Sequence, residues 1–270
     1  MRRFMNRRPG REGRVLLAAL PFALVILAYL AASAARLAVN ADDKLLPWPG
    51  AFVEAMRAMM FEPDKRSGDY LFWLDTAASL LRLLAGLAIA SAIGLLLGIT
   101  IGLLPYVRAA LAAFLAVICM VPPLAILPIL FITLGLGEVA KITLIVLGIA
   151  PYLARDLSFR VAELPEELLI KAQTLGASTW QVALRVVLPQ LLPKLISGLR
   201  LSLGPAWLFL IAAEAIASTE GLGYRIFLVR RFLAMDVILP YVAWITLLAF
   251  VMDRLLAWAS RRLFPWAPAA

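Results

Sequence analysis

Histidine is absent from this chain, cysteine occurs once, and charged residues fill only 16% of its 270 positions. Without histidine there is no imidazole general base and no His-containing metal site. With Cys119 alone, itself inside an apolar run, there is no disulfide framework and no cysteine-rich zinc site either. No G-x-x-x-x-G-K-[ST] string occurs, so the chain has no P-loop to cradle ATP, and any ATP must be used by a partner. Catalytic carboxylates do not cluster in the apolar runs, which argues against a membrane-embedded enzyme.

What fills the chain instead is apolar surface. Hydrophobic residues make up 63% of it, too many for every apolar face to be turned inward as a water-soluble domain requires. Runs of about 20 apolar residues, the length that crosses ~30 Å of hydrocarbon, recur about six times. Within lipid such runs must be helical, because each backbone group finds its partner inside its own segment. The expected fold is therefore an all-α polytopic membrane protein with about six transmembrane helices. The formal charge of +9 is dispersed in short clusters beside those runs, so it reports topology and not a nucleic-acid surface.

Residues 1–14 form a basic N-terminus carrying Arg2, Arg3, Arg7, Arg8, Arg11 and Arg14, which the positive-inside rule places in the cytoplasm. The first span, 15–39, then runs outward. A cleavable signal peptide is the competing reading, given the small residues from Ala31 to Ala35, but the apolar run is long for one. Residues 40–75 are acidic and proline-containing, with an amphipathic piece from Pro49 to Phe61, and read as an external connector lying on the membrane. Residues 76–262 form the core, and 263–270 a short tail. The second span is rich in glycine (Gly86, Gly94, Gly98 and Gly102), and Gly94 with Gly98 and Gly98 with Gly102 give overlapping G-x-x-x-G patterns that let a neighbouring helix approach closely. The third, from Ala109 to Leu134, is interrupted by Pro122, Pro123 and Pro128, and such a break either lines a water-filled path or is a structural kink. The fourth span covers Ile142 to about Leu157, the fifth Ile196 to Ser218 and the last Val237 to Trp258. Arg225, Arg230 and Arg231 break the positive-inside pattern. They lie either on a short interfacial helix or against a partner or solute.

Residues 164–193 are a charged, helix-forming island on the cytoplasmic side of this topology. Pro165 suits the first position of a helix, and Glu166 and Glu167 complement the positive end of its dipole. Gly176 permits the left-handed turn that ends it. Ser178 with Gln181 makes a capping box for a second helix, which Pro189 is expected to stop. The product is a rigid helix-turn-helix knob, the bland alternative being an amphipathic loop resting on lipid headgroups.

The segment Lys171-Ala172-Gln173-Thr174-Leu175-Gly176-Ala177-Ser178, followed by Val186-Val187-Leu188-Pro189, resembles the EAA motif of ABC-transporter importer permeases. Ser79 to Arg82 with Gly86, Pro122 to Ala125 with Pro128, Gly135 to Glu138, Ala206-Trp207, Ala213-Glu214 and Gly221 to Tyr224 are similar to the nitrate, sulfonate and taurine branch. The resemblance implies a type I importer permease of a bacterial inner membrane, working as a dimer with a second permease copy. Two ATP-binding subunits would hold ATP and Mg below it, and an extracytoplasmic solute-binding protein would deliver solute above. In that family the loop is the coupling helix, so the resemblance puts Glu166, Glu167, Lys171, Ala172, Leu175, Gly176, Ala177, Ser178 and Pro189 at the ATPase contact. The chain departs from the pattern at Ile170, where the family has its loop glutamate, and at Lys171, where it has an alanine. Glu166 or Glu167, one helical turn away, offers a replacement acid.

Arg82 and Glu214 are expected at similar depth near the outer ends of the second and fifth spans, where charges are costly unless paired. We therefore expect them to interact, as a packing ion pair or as a gate. With Met120, Pro122, Pro123, Thr133, Ser202 and Trp207 they are the candidates for the pathway. The chain itself is expected to bind no cofactor and no metal. Family resemblance offers nitrate, sulfonates, taurine or bicarbonate as solute, and the run from Glu220 to Ile245 resembles a subgroup tied to urea or guanidinium. The rival in another class is an ATP-independent secondary transporter or channel, which has no need of the knob.

Overall fold

A computed structural model describes residues 10–40, 43–64 and 68–267. Arg2, Arg3, Arg7 and Arg8 of the basic N-terminus, and Asp42 of the connector, lie outside the described residues. Among the described residues every regular element is helical. Five helices are long and apolar enough to cross a membrane, or six if a bent pair counts as one span.

The first helix, α1, covers Arg11–Val39, and its apolar flank is exposed along most of its length. Toward its C-terminal end, Tyr29 donates to the Pro47 carbonyl (2.6 Å) and Ser33 to that of Leu46 (2.9 Å). Next, α2 (Pro49–Phe61) occupies the amphipathic piece read from the sequence, with Met56, Met59 and Met60 turned toward the core. The second span, α3, covers Leu71–Leu103 and begins five residues earlier than its apolar run indicates.

The third span is more sharply broken than a kinked helix. It consists of α4 (Pro105–Ile118) and α5 (Pro123–Leu134), bent 93° to each other. Pro122 caps α5 and Pro123 is its first residue, where a missing N–H costs nothing, while Pro128 sits within α5 without ending it. The fourth span, α6, runs Glu138–Ala162.

Glycines fix how α3 meets α6. A Cβ on Gly86 would stand 2.7 Å from Ile145, on Gly94 2.7 Å from Leu153 and on Gly98 2.6 Å from Leu157, while one on Gly102 would collide with Val161. Both partners advance together in sequence, so the two helices are parallel and packed backbone to side chain, as small-residue seams allow. Parallel helices at one level require the chain between them to return across the membrane. The pair α4 and α5 therefore makes a full crossing rather than a re-entrant loop.

After a helical hairpin the chain returns as α9 (Leu188–Ala217), which packs against both α6 and α3, then forms α10 (Leu222–Arg230) and the last span, α11 (Met235–Leu263). The buried core lies among α3, α6 and α9, with Leu83, Leu144, Leu153, Leu157, Leu210 and Tyr241 fully enclosed.

Candidate functional site

Two polar features interrupt this apolar body, one at each end of α6 and α9. The first is the hairpin between them. Helix α7 covers Glu166–Thr174, with Glu166 and Glu167 in its first turn; Pro165 is the residue just before the helix and not its first member. Gly176 takes φ 82°. The Ala177 N–H then reaches the Ala172 carbonyl (3.0 Å) and the Gly176 N–H that of Gln173 (2.9 Å), the paired bonds of a Schellman stop. The next helix, α8, starts at Thr179 behind a reciprocal capping box. In it the Gln181 N–H donates to Ser178 Oγ (3.3 Å), and the Ser178 N–H donates to Gln181 Oε1 (2.8 Å).

Pro189 does not stop this second helix, contrary to expectation. A π-helical segment, Val182–Val187, joins α8 to α9, making one helical run from Thr179 to Ala217. The rule that proline ends a helix assumes an unbroken i to i−4 ladder. Here the Leu188 N–H reaches back to Ala183, and the widened turn carries the donorless Pro189 into the helix that follows.

The hairpin has two faces. Leu164, Leu169, Ala172 and Ala177 are half-buried against the core, joined by fully buried Val187. Of the coupling candidates, Ala172, Ala177 and Pro189 therefore sit on the anchoring side. Glu166, Glu167, Lys171, Leu175, Gly176 and Ser178 are exposed. Leu175 at 88% and Trp180 at 69% exposure give the tip an apolar cap. Trp180 escaped the sequence reading; its signal was an aromatic in the first turn of a capped helix, where no core pattern calls for one.

The second feature is an ion network at the other end. Asp75, Ser79 and Arg82 stand at i, i+4 and i+7 on one face of α3. Arg82 is the hub and is 3% exposed. It binds Glu214 (2.8 Å), Glu138 through both ends of its guanidinium, the Glu220 carbonyl (2.9 Å) and the Glu220 carboxylate (3.4 Å). Glu138 also receives Lys141 (2.9 Å), which donates in turn to Ser218 (3.0 Å). Glu214, fully buried, accepts from Ser79 (2.8 Å) and from the Gly223 N–H (2.9 Å). The expected pairing of Arg82 with Glu214 is thus present, within a larger cluster.

The start of α10 is built into that cluster. The N–H groups of Gly221, Leu222 and Gly223 point at Asp75 (2.9 Å), Ser79 (2.8 Å) and Glu214 (2.9 Å) respectively, placing carboxylates at the positive end of a helix. Only glycine fits at the two outer positions. Gly221 has φ 121° and a Cβ there would stand 2.6 Å from the Glu214 carboxylate; at Gly223 it would stand 2.7 Å from the Ile211 carbonyl oxygen. Asp75, read as the end of the external connector, is instead a buried residue of α3. It accepts from Arg225 (2.7 Å) and from the Tyr241 hydroxyl (3.3 Å). Burial opposes the Arg225 charge, but the hydrogen bonds it donates to Asp75 prevail and hold this guanidinium above its ordinary pKa. Of the three unexplained arginines Arg225 is therefore a structural partner of Asp75, while Arg230 and Arg231 stay exposed over the rings of Phe227 and Phe232.

The remaining pathway candidates do not form one site. Pro123 and Ser202 line a cleft of about 370 Å³ between the α4–α5 break, α6 and α9, together with Cys119, Gly148, Tyr152 and Phe209. The Ser202 hydroxyl is bonded to its own helix at Gly198 (2.9 Å). Met120, Pro122 and Thr133 lie exposed along the broken span. Trp207 is buried in the core, with an indole N–H that has no partner among the described residues.

Residues 90–265 match the family model described as binding-protein-dependent transport system inner membrane component. The chain is 41% identical over 198 residues to the taurine transport system permease protein TauC of Escherichia coli, covering 73% of this chain and 72% of that one. It is 28% identical over 262 residues, 97% of this chain and 92% of the relative, to a putative aliphatic sulfonates transport permease protein, SsuC, of Bacillus subtilis. A bicarbonate transport system permease protein, CmpB, of Synechococcus elongatus is 33% identical, with 71% of this chain and 69% of that one aligned. In fold, the chain is similar to the MetNI methionine ABC transporter in an inward-facing conformation, with TM-score 0.59 and 20% identity over 72% of this chain and 98% of the other.

Proposed function

The chain belongs to the family of binding-protein-dependent transport system inner membrane components, and from that premise we propose that its 164–189 hairpin is the surface on which the ATP-binding subunit docks. The protein is a multi-pass membrane permease of an ATP-driven, binding-protein-dependent importer, and ATP hydrolysis belongs to a separate subunit. Two copies of this permease enclose the pathway, each resting on one ATP-binding subunit that carries ATP and Mg, with the N-terminus and hairpin cytoplasmic. Closing of the ATPase dimer would push the hairpins together and bias the helices from inward-open to outward-open, a two-state change driven from a distance.

One observation carries this reading. The hairpin is capped at both helix ends, so it is rigid, and it projects apolar Leu175 and Trp180 where a water-facing loop has no use for them. Its departure at Ile170 leaves exposed Glu166 and Glu167 as the acids of the contact. For the solute, the taurine, sulfonate and bicarbonate relatives favour a compact molecule bearing an oxyanion.

The test is ATPase activity and solute uptake in proteoliposomes holding the chain, its ATP-binding subunit and its binding protein, with and without Gly176→Pro. Proline cannot reach the φ of 82° found at this position. The reading requires hydrolysis stimulated by the loaded binding protein and uncoupled by the substitution. Uptake by the permease alone without ATP, indifferent to Gly176→Pro, would overturn it. Taurine, an alkanesulfonate, nitrate, bicarbonate, urea and guanidinium can be ranked in the same assay by their stimulation.

A further inference from the structure

Several arginines in the membrane-crossing helices bind a carboxylate. Arg82 binds Glu138 and Glu214, Arg160 binds Asp156 and Glu163, and Arg200 binds Asp253 at 2.7 Å. Two that face one pocket do not. Arg108 of α4 and Arg155 of α6 line a cavity of about 300 Å³ with Ile101, Leu115, Ser158 and Phe159. Neither guanidinium forms an ion pair among the described residues. Arg155 lies over the Phe159 ring, 5.8 Å from its centre, and beside the Cys119 thiol. The neighbouring Asp156 is turned to Arg160. The Ser158 hydroxyl is bonded to the Arg155 carbonyl at 2.7 Å, so it adds no negative charge.

Arg108 is exposed and Arg155 half-buried, so the pocket presents two positive charges beside apolar walls at a membrane edge, an arrangement that attracts anionic headgroups. At ~1.5 Å per residue, Arg155 stands about 25 Å along α6 from Glu138, which puts it near the opposite edge of a ~30 Å hydrocarbon layer. Helix α6 passes from there directly into the 164–189 hairpin, so the pocket lies at the hairpin end of the helices. Its rim residues Ala112 and Phe159 are exposed on helices that cross the bilayer, where an acyl chain can lie alongside.

We propose that the pocket between α3, α4 and α6 is an oxyanion site in which Arg108 and Arg155 hold the phosphodiester of an anionic phospholipid from the inner leaflet. Placement in the inner leaflet rests on the proposed orientation of the hairpin; the anion site does not. A free oxyanion shares the same chemistry, and the experiment separates the two sources.

The full chain is purified in detergent and titrated with phosphatidylglycerol, phosphatidylcholine and inorganic phosphate, with binding read by native mass spectrometry and isothermal titration. The wild type should retain phosphatidylglycerol and not phosphatidylcholine. At about fivefold per guanidinium near a membrane surface, Arg108→Gln with Arg155→Gln should weaken phosphatidylglycerol roughly 30-fold. Arg108→Lys with Arg155→Lys should stay within about threefold, since a lysine still meets phosphate as a point charge. Melting temperatures in lipid-free detergent should agree among all three proteins, which separates lost binding from lost folding. Failure of millimolar phosphate to displace the lipid assigns the site to the headgroup. Binding of phosphate alone, with displacement of the lipid, keeps the oxyanion site but overturns its assignment to lipid. Equal retention of both lipids, or phosphatidylglycerol binding unchanged in the glutamine variant, overturns the proposal. No ATPase is involved, so these outcomes are independent of whether the hairpin couples to one.

Discussion

Replacing Arg82 by Met tests the ion network at its hub. The substitution roughly keeps side-chain length but leaves Glu214, which is fully buried, facing only Ser79 and the Gly223 N–H. Stranding one partner of a buried pair costs about 3–5 kcal/mol. Glu138 adds little, because its carboxylate is half exposed and keeps Lys141. Glu214→Gln strands less. Arg82 retains Glu138 and the Glu220 carbonyl, and the loss is a hydrogen bond that an amide cannot make, about 1–3 kcal/mol. The double variant should be more stable than Arg82→Met alone by about 2 kcal/mol, since no buried charge is left without a counterion. At ~2–4 °C per kcal/mol for a chain of this size, Arg82→Met should lower the melting temperature in detergent by roughly 10 °C, and Glu214→Gln in its background should restore part of it. Tryptophan fluorescence on heating reads all four proteins. If Arg82→Met melts within about 2 °C of wild type, or the two losses simply add, the cluster is not held by this charge pair.

Along the α3–α6 seam, Gly98→Ala places a Cβ 2.6 Å from Leu157 and should cost about 1–3 kcal/mol, whereas Gly204→Ala, with nothing within 4 Å, should be neutral or gain up to ~1 kcal/mol; equal melting temperatures for the two would refute the packing argument. Leu175→Glu and Trp180→Glu, at exposed tips, should leave the melting temperature unchanged and cut co-purification of the ATP-binding subunit about 30-fold or more, the loss expected from an anchor worth ~2 kcal/mol, so retained assembly would count against the hairpin as docking surface. Ser178→Ala removes one arm of the capping box at a cost of about 1 kcal/mol, seen as faster amide exchange at Gln181 while α3 exchanges as before.

What sequence disclosed, and what it did not, divides along the reach of the interactions. The capping box, the Gly176 turn and the glycine seam involve residues within one helix or one turn, so their signals are local and the structure carries each of them. Helix ends were misjudged wherever a distant partner pays for a charge. Asp75, Glu138 and Lys141 look like the polar limits of apolar runs, yet each lies inside a helix because Arg225, Arg82 or Ser218 meets it from another segment. The pairing of Arg82 with Glu214 could be inferred because two lone charges at one depth leave few alternatives. Its extension to Glu138 and Glu220 could not, since those residues also make sense as ordinary turn acids. The 93° angle at Pro122 and Pro123 was hidden for a different reason: proline fixes where a ladder fails and says little about the direction in which the next helix leaves.

The two polar features are ends of the same rods. Helix α6 begins at Glu138 in the ion network and passes at Ala162 into the hairpin, and the run from Thr179 begins in the hairpin and reaches Glu214 in the network. Both are packed against α3, by the glycine seam on one side and through Arg82 and Ser79 at the end. Any hinge between hairpin and network would have to open buried contacts of α3 with α6 or break the pairing of a fully buried carboxylate. The rods carry Pro151, Pro193 and Pro205 within their helices, and the π segment lies at the foot of the hairpin, where Val182 and Val187 are buried against the core. By contrast the α4–α5 break is exposed, holds no ion pair among the described residues, and borders the apolar cleft with Pro123 and Ser202. In the proposed cycle, thrust on Leu175 and Trp180 is therefore transmitted by α3, α6, α9 and the start of α10 moving as one body. The cheapest place for the membrane domain to yield is the joint at Cys119 to Pro122, beside the cleft and not within the network. On these energetics we propose that the ion network keeps the lever stiff and that the broken span is the gate.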